Sequence, residues 1–114
     1  MTFDMRDWVF IYFVRVGDFV KIGMSREWKK RIANLKVAVP FDVELLHVEL
    51  GLERSEKSLH KRFRKLHHRR EWFHAHPILL AYIAGRAAEP GRSMIKRDTR
   101  EMTEVMKQAK RGTP

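Results

Sequence analysis

From Trp8 to Val16 the chain reads WVFIYFVRV, a β-branched and aromatic run broken by a single charge. A strand facing water on one side alternates apolar with polar residues; this one does not, so it must be covered on both faces. Gly17-Asp18 then supplies a two-residue hairpin turn, and the chain returns through FVKIG, Phe19–Gly23. A turn of that length fixes the register: Val16 faces Phe19, Val14 faces Lys21 and Tyr12 faces Gly23. Because side chains alternate with period two, Tyr12, Val14 and Lys21 share a face, with Tyr12 and Lys21 as diagonal neighbours. A lysine on that apolar face needs a reason.

Downstream, Ser25 is a suitable N-cap for a first helix, with Glu27 in its first turn. Trp28, Ile32 and Leu35 form its apolar stripe, Arg31 borders that stripe, and Lys29 and Lys30 point elsewhere. KVAVPF (Lys36–Phe41) reads as a connection, and DVELLHVEL (Asp42–Leu50) as a third strand of the same sheet. A second helix is expected over Glu53–Leu66, its buried face carrying Leu52, Leu59, Phe63 and Leu66 and, anomalously, Glu56. A short helix, Ile78–Arg86, follows Pro77. Residues 1–86 therefore read as one compact domain, 87–97 as a linker around AAEPGRS, and 98–114 as a basic helical tail capped by Asp98 with Glu101 three residues on. The thin apolar stripe of that tail suits docking onto a protein partner or a second copy of the chain.

Lys and Arg outnumber Asp and Glu by 24 to 14, a net charge of +10, which favours a polyanionic partner: nucleic acid first, with DNA foremost, and an anionic membrane surface second. The absence of cysteine excludes disulfides, thiolate zinc sites and cysteine nucleophiles. The longest apolar run, Trp8–Val14, is too short to span a bilayer, and the N-terminal residues lack a signal-peptide layout. A cytoplasmic protein is the expectation. The histidines offer no zinc set: His67-His68 is poor chelate spacing, and His74 with His76 provides only two ligands.

Tyr12, Lys21, Arg31 and Glu56 thus stand where packing would prefer apolar groups. Such a set suits phosphodiester cleavage, which needs a base for water, cations for the growing charge and a carboxylate for a metal ion. Tyr12, its phenol drawn down by the Lys21 ammonium, is the expected base, Arg31 the bidentate phosphate ligand, and Glu56 the holder of a hard divalent ion. His60, one turn after Glu56, is a further donor or base. Lys29, Lys30, Lys61, Arg62, Arg64 and Lys65 form a basic surface for the backbone of a nucleic acid. Each has a plainer alternative at this level: Tyr12 as a core tyrosine, Lys21 reaching past the sheet edge, Arg31 and Glu56 in an interhelical salt bridge, and the basic run as a solvated face.

IYF (Ile11–Phe13), KIG (Lys21–Gly23), Arg31 eight residues beyond that glycine, EKSLHKRF (Glu56–Phe63) and EWF (Glu71–Phe73) occur in an order that resembles the GIY-YIG nuclease superfamily, and within it the small T5orf172 or Mug113-like branch. The resemblance spans about Val9 to Ile83. It implies an α/β (α+β) fold with a three-stranded antiparallel sheet flanked by helices, and endonucleolytic hydrolysis of DNA with one magnesium or manganese ion. Tyr12 matches the tyrosine of the first motif, Gly23 the glycine of the second, Arg31 the helix arginine and Glu56 the metal-binding glutamate. Gly23, facing Tyr12, would let a phosphate approach the backbone. Three departures accompany the match: Phe10 stands at the first motif's glycine, Lys21 replaces the second tyrosine, and the asparagine that other branches carry after the glutamate has no counterpart. An inactive nucleic-acid-binding or adaptor module on the same fold is the alternative these departures leave open.

Overall fold

The computed structural model describes residues 7–95. The proposed tail helix, residues 98–114, lies outside them. Three helices and five strands follow in the order β1 (Trp8–Val16), β2 (Phe19–Ser25), α1 (Trp28–Ala38), β3 (Glu44–Leu52), α2 (Glu53–Arg62), β4 (His67–Arg69), β5 (Trp72–His74) and α3 (Pro77–Ala88), with a 3-10 turn at Arg64–Leu66 after α2. The class is α+β.

The sheet corrects the expected fold. It has five strands, ordered β3-β1-β2-β5-β4 and antiparallel at every junction, where three were expected. The first three are the anticipated ones, although β3 begins and ends two residues later than Asp42–Leu50. The added pair is a hairpin of three-residue strands within HHRREWFH, docked on the free edge of β2. Segments so short have no hydrophobic period to read. Their turn is carried by Arg70, which takes φ 52°, and the Arg70 carbonyl accepts a bond from His67 Nε2 at 2.6 Å.

The β1–β2 register is as the turn length predicts: Val16 opposite Phe19, Val14 opposite Lys21 and Tyr12 opposite Gly23. Gly17 takes φ +58°, the left-handed region that such a turn requires at its first central position. β1 lies between β2 and β3 and is buried on both faces. Its odd residues, Val9, Ile11 and Phe13, join a cluster with Phe63 of the α2 C-cap and with Leu79 and Ile83 of α3. Its even residues, Phe10, Tyr12 and Val14, join Trp28 and Ile32 of α1 and Val48 of β3. Each such side chain contributes on the order of 1.5–3 kcal/mol by leaving water.

The three expected helices form, but their ends differ: α2 stops at Arg62, four residues short of the expected Leu66, because the chain tightens into the 3-10 turn at Arg64–Leu66. α1 begins at Trp28 rather than beside Ser25, whose hydroxyl accepts from the Glu27 N–H at 3.0 Å while Ser25 itself ends β2. α1 also runs through Lys36–Ala38, beyond the expected connection, with Val37 at its wet end. Ser55 accepts from the Leu52 N–H at 3.1 Å and closes the first turn of α2. After α3 the chain folds back onto β3: the Met94 N–H reaches the Val48 carbonyl at 2.8 Å, and Met94 is buried. Among the described residues no helix is long and apolar enough to cross a membrane.

Candidate active site

Strand alternation, the hairpin and the two long helices bring six of the anticipated residues to one place. Tyr12 projects from the centre of β1 onto the α1 face and is 1% exposed. Directly across, Gly23 leaves room for it: a Cβ there would overlap the Tyr12 Cζ and hydroxyl oxygen. The glycine thus seats the tyrosine itself, rather than opening the backbone to a phosphate.

Lys21 is mostly buried and stands 6.0 Å from the centroids of both the Tyr12 and the Trp72 rings. Its charge is matched by Glu71, at 3.7 Å. Arg31 is exposed on α1, yet close enough for its guanidinium to favour ionisation of Tyr12. Glu56 enters from α2, largely buried, with Oε1 3.6 Å from His60 Nε2. The anticipated alternative of an Arg31–Glu56 salt bridge does not occur among the described residues. His60 Nε2 lies 2.9 Å from the Ile22 carbonyl oxygen. A carbonyl can only accept, so Nε2 carries the hydrogen and Nδ1 is the basic atom of the neutral ring.

Electrostatics revises the expected role of Tyr12. Its phenol is pushed up to about 12, first by burial, then by the carboxylates of Glu71 and Glu56, against the opposing pull of Arg31. The Lys21 ammonium is paired with Glu71 and does not draw the phenol down. Glu56 is also raised above the ordinary carboxylate range, chiefly by burial and then by Glu71, with His60 opposing. Glu71 is therefore the member that sequence reasoning missed as a site residue. It sits in the β4–β5 turn, outside any periodic pattern, and only its place in EWF drew attention to it.

The remaining basic residues divide. Lys29 and Lys30 are exposed on α1, Lys29 with its ammonium 5.7 Å from the Trp28 ring. Lys61, Arg64 and Lys65 line a basic hollow beyond the C-terminal end of α2. Arg62 lines the same hollow, and its guanidinium also lies 4.7 Å over Tyr82 of α3.

Among the described residues no three His, Asp or Glu side chains gather as a metal cage. What the chain offers is one buried carboxylate oxygen, Glu56 Oε2, that has no hydrogen-bond partner. Magnesium is commonly held by one or two carboxylates, with water and substrate phosphate oxygens completing its octahedron. An unpartnered anionic oxygen fits that demand.

A family model of the T5orf172 domain matches residues 9–96. The chain belongs to the T5orf172 domain family. The match takes in every element of the sheet and all three helices, so the site just described lies wholly inside the T5orf172 domain. No curated protein and no solved structure matches the chain significantly.

Proposed function

We propose that this T5orf172 domain is a nuclease that hydrolyses phosphodiester bonds of DNA with the help of one divalent metal ion. The family is associated with GIY-YIG-like nucleases. The observation that carries the reading is the grouping of Lys21, Arg31 and Glu56 about Tyr12, with His60 beside Glu56 and one Glu56 oxygen left without a partner.

Glu56 would hold the ion, which when bound supplies Lewis-acid polarisation of a phosphate oxygen. Arg31, exposed, presents a planar fork to two phosphate oxygens. Lys21 places a second positive charge beside the same group. With its phenol held protonated, Tyr12 serves as an O–H donor to the phosphate. His60 Nδ1 then takes the proton of the attacking water. The water oxygen bonds to phosphorus, the bond to the leaving sugar oxygen breaks, and that oxygen collects a proton from solvent.

Nicking of supercoiled plasmid with magnesium or manganese tests this. Glu56→Ala and Arg31→Ala should each lower the rate by at least about 100-fold, and His60→Ala by a similar factor as a lost general base. Equal rates in wild type and all three variants would remove the support for hydrolysis at this site.

The deep burial of Tyr12 favours a second reading, a module that binds nucleic acid without cutting it. It is distinguished by binding that weakens steeply with salt and needs no metal, with no nicking by any form of the protein.

A further inference from the structure

One side-chain row beyond Lys21, on the same face of the sheet, lies a hollow of about 460 Å³ that the hydrolytic scheme does not use. Phe19 pairs with Val16 across the first hairpin, and Trp72 pairs with Lys21 across β2 and β5. Alternation therefore puts Phe19, Lys21 and Trp72 on the face that carries Tyr12. Phe19 is two residues, roughly 7 Å, along β2 from Lys21. Trp72 links the two places, since its ring is 6.0 Å from Lys21 Nζ and also lines the hollow.

The lining is aromatic with a cationic edge. Phe19, His68 and Trp72 supply rings, the first two with centroids 4.4 Å apart. Phe19 and Trp72 are half-buried rather than sealed in the core. Arg69 and Arg70, both exposed, line the same hollow. Flat π surfaces beside guanidinium groups match a ligand that is itself a flat ring attached to a phosphate. The volume is that of a cleft which encloses a small ring ligand.

We infer that this hollow receives an unpaired nucleobase of a single-stranded DNA segment, stacked on Phe19 and Trp72, while a neighbouring phosphate lies at Lys21. The inference rests on the nucleic-acid reading above and names its substrate class. A base within continuous duplex has both faces covered by its neighbours and cannot enter. The site therefore selects strands with unstacked nucleotides. Stacking reads any base through its π face, so the selection is for strandedness and not for sequence.

The test compares binding of two short labelled DNA strands of equal length, one of deoxyadenosines and one abasic throughout. Both carry the same phosphates, and EDTA prevents cleavage. Wild type should prefer the base-bearing strand by at least about fivefold, the low end for one base on an aromatic ring. Trp72→Ala and Phe19→Leu should each collapse that preference and leave affinity for the abasic strand within about twofold. Trp72→Phe should retain most of it. The ratio is its own control, because a misfolded fraction weakens both strands equally. Equal binding of the two strands by wild type, or equal losses on both in Trp72→Ala, overturns the inference. A protein that shows the base preference but nicks no plasmid keeps the base pocket and loses the nuclease reading.

Discussion

At Tyr12, burial and charge act in the same direction, and the result decides what the residue can do. A phenol held at about 12 is ionised in only about one molecule in ten thousand at pH 8, too few for a resting general base. The chain has just two tyrosines, Tyr12 and Tyr82, so a Tyr82→Phe variant isolates the buried one by ultraviolet absorbance. Its alkaline titration should show a midpoint near 12. The folded value stands above the unfolded 10, so Tyr12 contributes stability that is present below pH 10 and lost as pH rises through 12. The absorbance change should accordingly coincide with loss of helical circular dichroism. A reversible midpoint near 10 in the folded protein would return the phenol to the role of base. Gly23 belongs to the same account, since the space it vacates is filled by the tyrosine's own hydroxyl end.

Among the elements, the β4–β5 hairpin does most with least sequence. Its turn forces Arg70 into the left-handed region, where an ordinary side chain costs about 1–2 kcal/mol. Arg70→Gly relieves that strain but loosens the unfolded chain by a comparable amount. Thermal unfolding should therefore move by less than about 1 kcal/mol, while affinity for single-stranded DNA falls, because one cation leaves the edge of the aromatic hollow. A large stability change with unaltered affinity would make the arginine structural. The hairpin also marks where sequence stopped informing. The β1–β2 pairing was legible because a long apolar run and a two-residue turn leave one register, and that register alone put Tyr12, Lys21 and Gly23 together. The α2 face was legible because Glu56 interrupts an otherwise apolar stripe. Strands of three residues carry no such signal, and so Glu71, which pairs with Lys21 and raises both Tyr12 and Glu56, was seen as part of a motif and not as a site residue. Nor could the pattern show that Ser25 would close β2 instead of capping α1, since either use satisfies its hydroxyl.

At the scale of the whole molecule, the question is what fastens the chain after α3 to the far edge of the sheet. Glu49 of β3 is the centre of that fastening. His47 Nε2 donates to its Oε1 at 2.9 Å, Arg86 of α3 binds both oxygens at 3.0 and 2.5 Å, and Arg92 reaches Oε2 at 3.4 Å. Burial alone would lift this carboxyl, but the hydrogen bonds from His47 and Arg86, with their charges, outweigh it and hold Glu49 at about 2. The folded value lies below the unfolded 4.5, so the contribution is fully present above pH 4.5 and is lost as pH falls through 2. A depression of that size corresponds to about 3 kcal/mol. Glu49→Gln keeps the shape but leaves Arg86 and Arg92 without a counter-charge, and should lower stability at pH 7 by about 2–4 kcal/mol. The decisive measurement is the difference in denaturant-unfolding free energy between wild type and Glu49→Gln as a function of pH. Other acidic groups cancel in that difference. It should keep most of its size down to about pH 4.5 and then shrink steadily toward pH 2, where half of the folded wild type has lost the same charge. A gap that stays constant down to pH 2 would mean that shape, and not the ionised carboxylate, joins α3 to β3.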